Sequence, residues 1–397
     1  MQPEKTFSLQ VPAPLSDQAS AHLNMLRGIA AFVVLLEHWR GVFFVNWPQV
    51  HHRNIALQLF YGSTKFGHQA VVVFFVLSGF LIGRTVLKDV AMGRWSTPRY
   101  AFHRLIRLQL VLVPALLLCW FWDATGIHLF SPSPTYLGSS GIPMLAYNVA
   151  NWSNLHIFLG NLAFLQTLLV PPFGSNNPLW SLANEFWYYV LFPCLVLLLA
   201  PSSSRLRRSI AGIVLVAVAL FIGWMLAGFF IWLLGVALIF LPRSRRLHPR
   251  RHSWLLLLAF AFIFVQLVFT YRWTWLESGL NTDYILSAFV AILLYLLLHD
   301  PRPVSKLYRS VASHAAGFSY TLYLTHLPFL VFFAALLNHR VLPTPRNFIL
   351  PIAILLLTLA YSYGIAMLFE HNTDRIRKKL ESKLGLLTKA PSTSHSR

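Results

Sequence analysis

The run LRGIAAFVVLLEHW (Leu26–Trp39) is apolar except for Arg27 near one end and Glu37-His38 near the other. Arg27 and His38 stand eleven positions apart, roughly three turns at about 100° per residue, so a helix shows both on one face. The rise between them is about 16 Å, half of a hydrocarbon core of about 30 Å. Ionisable groups at such depth are expensive and as a rule line a cavity or a pathway. Out of water an imidazole is neutral and can take up a proton, which makes His38 a candidate general base. The same spacing also fits a topology-setting arginine and a packed neutral histidine.

Other candidates are spread along the chain. Glu185, in WSLANEFWYY (Trp180–Tyr189), is a carboxylate that needs a buried partner and is the candidate to orient the imidazole. Glu37 is adjacent to His38 in sequence but points about 100° away. With its span opening at residue 185, Glu185 is expected nearer the outer surface than His38. His326 lies with Tyr323 in SYTLYLTHLP (Ser319–Pro328), about 18 Å into an outward-running span and at a depth like that of His38. It either shares the cavity or hydrogen-bonds across helices, and the second reading is preferred.

Arg104 and Arg107, three apart on a helix, share a side, and two guanidiniums so spaced can hold a phosphate through forked hydrogen bonds. By spacing alone they fit equally a topology-setting series with Arg84, Lys88, Arg94 and Arg99. Ser78, in VFFVLSGFLI (Val73–Ile82), is a conceivable nucleophile, though Ser and Gly in such a helix more often permit close packing. Trp152 and Trp180 could stack on sugar rings, while a single Trp at a membrane interface is ordinarily an anchor. No Gly-rich phosphate loop occurs and no cluster has structural zinc spacing, so no metal is expected.

These residues need a frame, and composition supplies its class. The chain is 56% hydrophobic and 11% charged with a mean hydropathy of +0.60, as in a polytopic membrane protein. Its spans are all-α, because an open strand cannot satisfy its backbone in lipid. A net charge of +20 would suit a nucleic-acid partner, but the positive charges sit in short blocks between apolar spans, which excludes that reading. Cys119 and Cys194 fall inside apolar segments, so no disulfide framework is implied. The expected spans are about 24–44, 67–87, 104–122, 185–200, 209–223, 225–241, 254–271, 283–299, 314–337 and 348–369.

Charge orients this ten-helix bundle. No Lys or Arg lies between Arg107 and Arg205. A full crossing by 156–170 would put Arg205, Arg207 and Arg208 outside, whereas a re-entrant or interfacial segment keeps them in the cytoplasm. All but six of the 32 Lys and Arg then lie on the cytoplasmic side, the six being Arg40, Arg53, Lys65, Arg272, Arg340 and Arg346. Both termini are expected in the cytoplasm. The polar residues 1–22 form an N-terminal tail without the apolar core of a signal peptide, residues 23–370 the membrane domain, and residues 371–397 a basic tail. Within that tail, RIRKKLESK (Arg375–Lys383) is expected on anionic lipid.

An Arg, ten residues and a His in a first membrane helix, followed in order by VFFVLSGFLI, Arg104-Leu-Ile-Arg107, WSLANEFWYY and SYTLYLTHLP, resemble the membrane acyltransferase-3 family. These are bacterial enzymes that move acyl groups onto cell-surface glycans, with relatives that acylate small molecules. The resemblance runs from residue 24 to about residue 370. It implies an O-acyltransferase in the bacterial cytoplasmic (inner) membrane, passing an acyl group, acetyl first among them, from acyl-CoA to a hydroxyl of an extracytoplasmic glycan, glycolipid or small acceptor. Acyl-CoA is then a donor substrate held by Arg104, Arg107 and Arg27, not a permanent cofactor, and membrane lipid is the other expected partner. His38 is the implied base and Glu185 the second catalytic candidate, and Glu37, Ser78, Trp180, Tyr323 and His326 are cavity candidates. The competing class is a multi-pass transporter using His38, Glu37, Glu185 and His326 as a proton relay. Neither LRGIAAFVVLLEH nor VFFVLSGF recurs in the second half, so the internal repeat of many transporters is missing.

Overall fold

A computed structural model describes residues 11–201, 203–242, 249–272, 280–300 and 302–383. Expectations touching residues 1–10, the arginines of 243–248 and the tail 384–397 lie outside the described residues. The described chain is helical and contains no strand, only the isolated bridges Phe44–Val341 and Gln166–Val170. Its α-helices are α1 (Asp17–Phe43), α2 (Ile55–Ser63), α3 (Gly67–Ala91), α4 (Thr97–Phe130), α5 (Pro134–Leu137), α6 (Leu155–Leu162), α7 (Leu179–Leu199) and α8 (Arg205–Ile222). There follow α9 (Leu226–Ala237), α10 (Pro249–Arg272), α11 (Leu280–Leu298), α12 (Lys306–Gly317), α13 (Ser319–Leu337), α14 (Ile349–Leu368) and α15 (Thr373–Lys383).

Among the described residues nine helical runs are long and apolar enough to cross a membrane. One of them, Arg205–Ala237, is two passes. Gly223, at φ +47°, breaks it. α8 runs antiparallel to α7, with Gly212 against Leu198 at one end and Phe221 packed 5.3 Å from Trp187 at the other. α9 then returns alongside α3 in the same direction as α3. Ten passes result, as the hydropathy pattern implies, in a polytopic helix bundle. Side chains such as Ile213, Leu220, Trp254 and Phe264 on α8 and α10 point outward, an apolar surface suited to lipid.

Close packing at the centre rests on glycine. A Cβ on Gly79 of α3 would overlap the Trp232 carbonyl of α9, and one on Gly235 would overlap the Val76 carbonyl. Small residues let the two backbones touch, which is how helices associate when lipid removes the hydrophobic drive between them.

The segment between α4 and α7 does not cross. It leaves the level of Asp123, where that fully buried carboxylate accepts from the Ser175 N–H (2.7 Å) and hydroxyl (2.7 Å). α6 descends beside α4 until the Leu162 carbonyl accepts from the Gln109 amide (2.6 Å). From Asp123 to Gln109 is about 21 Å along α4 by helical rise. The chain then turns, with Asn161 bonding the Pro171 carbonyl (2.9 Å) and the Phe173 N–H (3.1 Å), and returns to Asp123 at Gly174-Ser175. It enters and leaves on one side, so 156–170 is a re-entrant segment.

Prolines inside the helices free carbonyls that other elements take up, since Pro has no N–H for the residue four back. Pro328 leaves the Leu324 carbonyl of α13 open, and the Asn176 amide donates to it (2.8 Å). Pro193 leaves the Tyr189 carbonyl of α7 open, and the Tyr100 hydroxyl donates to it (3.1 Å). These bonds fix α13 and α7, the helices that carry His326 and Glu185. At the Arg-rich end, Glu381 of α15 is buried against His103 of α4, with Arg99 3.9 Å away. The RIRKKLESK segment is therefore docked on the start of α4 through its one buried acid.

Candidate active site

α1 and α13 run in the same direction and pack along their length, so His38 and His326 arrive at one depth. The His38 Nδ1 lies 2.7 Å from the His326 Nε2, with ring planes 8° apart. The other His326 nitrogen, Nδ1, lies 2.8 Å from the Leu322 carbonyl. A carbonyl only accepts, so His326 Nδ1 carries the proton, and in the neutral ring its Nε2 is a lone pair. The His38 Nδ1–H must then donate to it. That leaves the His38 Nε2 as an unprotonated acceptor, on a residue that lines a cavity of about 290 Å³. The tautomer of the candidate base is thus set by a residue on another helix, the way an orienting group sets a catalytic imidazole.

Trp180, Glu37, Arg40, His68, Asn46 and Tyr323 line the same cavity. Trp180 stacks on His68 at 6.1 Å, and the His68 Nε2 is 2.8 Å from the Asp283 carboxylate. Glu37 does not reach His38; it faces the backbone N–H groups of Gly67 and His68, capping α3 from another helix. Arg40 donates to the Thr64 carbonyl (3.2 Å) and lies over the Tyr61 ring. The outer rim is tied down by Arg340, whose guanidinium donates to the carbonyls of Phe44 (2.6 Å) and Gly141 (2.6 Å) and to the Asn46 side chain (2.7 Å).

Glu185 lies elsewhere. Because α7 begins at Leu179, not 185, Trp180 takes the His38 level, and Glu185 sits more than a turn deeper toward the Arg-rich end. The expectation that it is nearer the outer surface than His38 is corrected. Its carboxylate accepts from the Ser78 hydroxyl (2.9 Å) and the Tyr189 hydroxyl, and the Trp232 indole N–H donates to Ser78 (3.2 Å). Ser78, Glu185 and Tyr189 line a second cavity, of about 120 Å³, with Arg27 and Arg107. Among the described residues neither guanidinium has a hydrogen bond or an ion pair. Both nearby carboxylates are satisfied by neutral donors, Glu185 as above and Glu370 by the Thr321 N–H (2.9 Å) and hydroxyl (2.7 Å). Two free guanidiniums facing one small cavity can take an anion through charge-assisted bonds.

Arg104 does not join them. Its guanidinium lies 5.5 Å from the Tyr100 ring centroid, in a third cavity of about 600 Å³ shared with Trp95 and Arg207. Tyr189 stands between that cavity and the one holding Arg107. Residues three apart still differ by about 60° around the axis, enough to send the two arginines to either side of one tyrosine.

Sequence reasoning missed Tyr189 and Glu370, and Tyr320, which lines the cavity of Arg27 and Arg107. Glu370 was visible as a lone acid at the end of the last span, whereas nothing marked the tyrosines out from the many aromatics. His38, Glu37, Glu185 and His326 make no continuous chain of hydrogen bonds among the described residues, since the two glutamates belong to separate clusters.

Fold and site together define a multi-pass membrane protein with two histidines paired beside one cavity and Arg27 and Arg107 facing another. A family model described as an acyltransferase domain matches residues 21–371, nearly the whole chain. The chain belongs to this acyltransferase-3 family and is an acyltransferase. No curated protein and no solved structure matches it.

Proposed function

We propose that the protein transfers an acyl group, acetyl first among the candidates, from cytoplasmic acyl-CoA to a hydroxyl of an extracytoplasmic carbohydrate or related acceptor, in the cytoplasmic membrane of a bacterium. The observation that carries the reading is the His326–His38 pair, which leaves the Nε2 of His38 free to accept a proton on a residue that lines a cavity with Trp180, Glu37, Arg40 and His68. An aromatic face beside several donors and acceptors suits a sugar. In the step, the acceptor hydroxyl gives its proton to the His38 Nε2 as its oxygen attacks the thioester carbonyl. The C–O bond forms, the C–S bond breaks, and the CoA thiolate leaves with a proton returned from the imidazolium. Coenzyme A phosphates are anions of the kind that Arg27 and Arg107 can hold, with Arg104 a second basic group on the same face of the membrane.

Mass spectrometry of surface glycans and lipids from cells with the protein, without it, and with His38→Ala tests this. Ester-linked acyl groups present only with the native protein are expected. An identical ester profile in all three strains overturns the proposal.

A further inference from the structure

Arg104 and Arg207 line a cavity of about 600 Å³, between α4, α7 and α8, that carries no step of the transfer. Its lining is of two kinds. Toward the starts of α4 and α8 it is basic and polar, with Arg104, Arg207, Ser96 and Thr97. The rest is apolar, from Leu197 to Phe186 along α7 with Leu105, Ile210 and Val214 on the flanking helices. From Leu197 to Phe186 is about 16 Å by helical rise, half of a hydrocarbon core of about 30 Å and thus the depth of one leaflet.

Both ends of this slot lack an occupant from the chain. No Asp or Glu lines it, and the buried Arg104 Nε has no hydrogen-bond partner among the described residues. Arg104 opens the span expected from residue 104, and Arg207 stands just before the one expected from 209, which places both at the level of lipid phosphates. Leu105 on α4 is 41% exposed and Ile210 on α8 is 53% exposed, so the apolar part opens sideways toward the bilayer. Apolar gaps do not hold water, and hydrocarbon is the medium that remains.

We propose that this slot binds one anionic phospholipid of the leaflet at the Arg-rich end, its phosphate between Arg104 and Arg207 and one acyl chain laid along α7. Basic pockets between membrane helices take such headgroups. Coenzyme A also carries phosphates, but the apolar walls would leave the amides of its pantetheine arm unpaired. A lipid seated here leaves the donor to Arg27 and Arg107, and the site stands whether or not the transfer proceeds as written above.

Native mass spectrometry of the delipidated full chain, titrated with dioleoyl phosphatidylglycerol or dioleoyl phosphatidylcholine, tests it. The tightest phosphatidylglycerol adduct should form at least about fivefold more readily than the phosphatidylcholine one, and Arg104→Gln and Arg207→Gln should each weaken it about fivefold. Arg205→Gln removes a charge from the same helix start but outside the slot, and should leave that adduct unchanged. Neither glycerophosphoglycerol, the headgroup without chains, nor coenzyme A should displace the lipid. Equal affinity for the two lipids, native affinity in the Arg104→Gln/Arg207→Gln double variant, or an equal loss in Arg205→Gln overturns the site. Displacement by the headgroup alone reduces it to an anion site without a chain, and displacement by coenzyme A gives the slot to the donor; either result overturns the lipid.

Discussion

His326→Leu removes the acceptor that holds the His38 Nδ1 proton at 2.7 Å. His326 is fully buried, so no water replaces it, and the His38 N–H is left unsatisfied. A buried donor without a partner costs about 1–3 kcal/mol. Each 1.4 kcal/mol is tenfold, so a loss confined to the orienting bond lowers turnover roughly 5–150-fold. Removing the base itself in His38→Ala costs about 10²–10⁴-fold, and the double variant should lose no more than His38→Ala, because the two residues act as one unit. His326→Gln places a carbonyl oxygen near the lost nitrogen and should recover most of the activity. Turnover is read as label moved from acyl-CoA in vesicles matched for protein content, with donor affinity measured separately and expected to stay unchanged. In the wild type the rate should fall on acidification, because a protonated His38 cannot accept the hydroxyl proton. Native turnover in His326→Leu, or full additivity in the double variant, refutes the orienting role.

Other expectations follow from the same geometry. Arg27→Ala or Arg107→Ala should weaken acyl-CoA binding by roughly 10–150-fold, the worth of a charge-assisted bond of about 1.5–3 kcal/mol. Arg104→Ala, facing a different cavity, should weaken it less; equal losses in an equilibrium binding assay would remove the distinction. Asp123→Ala deletes both bonds to Ser175 and should lower stability by about 2–3 kcal/mol, seen as an earlier thermal transition in detergent, because the re-entrant segment loses its anchor. Gly235→Ala drives a Cβ into the Val76 carbonyl and should prevent accumulation of folded protein, whereas Gly62→Ala, with open space around it, should not. A topology reporter after Arg208 should read cytoplasmic and one at Ser140 extracytoplasmic, since the segment between α4 and α7 returns to the side it left.

Much of this molecule follows from the order of its residues alone. Hydropathy and the lopsided distribution of Lys and Arg are enough for ten passes and for a non-crossing segment at 156–170, because lipid forces each apolar run into a helix and Lys and Arg gather at the cytoplasmic ends. The facing of Arg27 and His38 along one stripe of α1 is equally a matter of helical period. So is the family, whose motifs are local runs in a fixed order.

Tertiary structure decided which of these groups meet. Helical period says on which side of its own helix a residue lies, but not what the neighbouring helix brings there. Arg107 joins Arg27 and not Arg104, because Tyr189 of α7 divides the space in front of α4. Glu185 meets Ser78 and not His38, because α7 starts six residues earlier than its apolar run shows, with Pro178 and Leu179 already in place at the outer end. The proton-accepting nitrogen of His38 is fixed by His326, 288 positions away, and His326 is fixed in turn by the Leu322 carbonyl. A tautomer is set by the atoms within hydrogen-bond distance on every side, and only the packed bundle brings those atoms together.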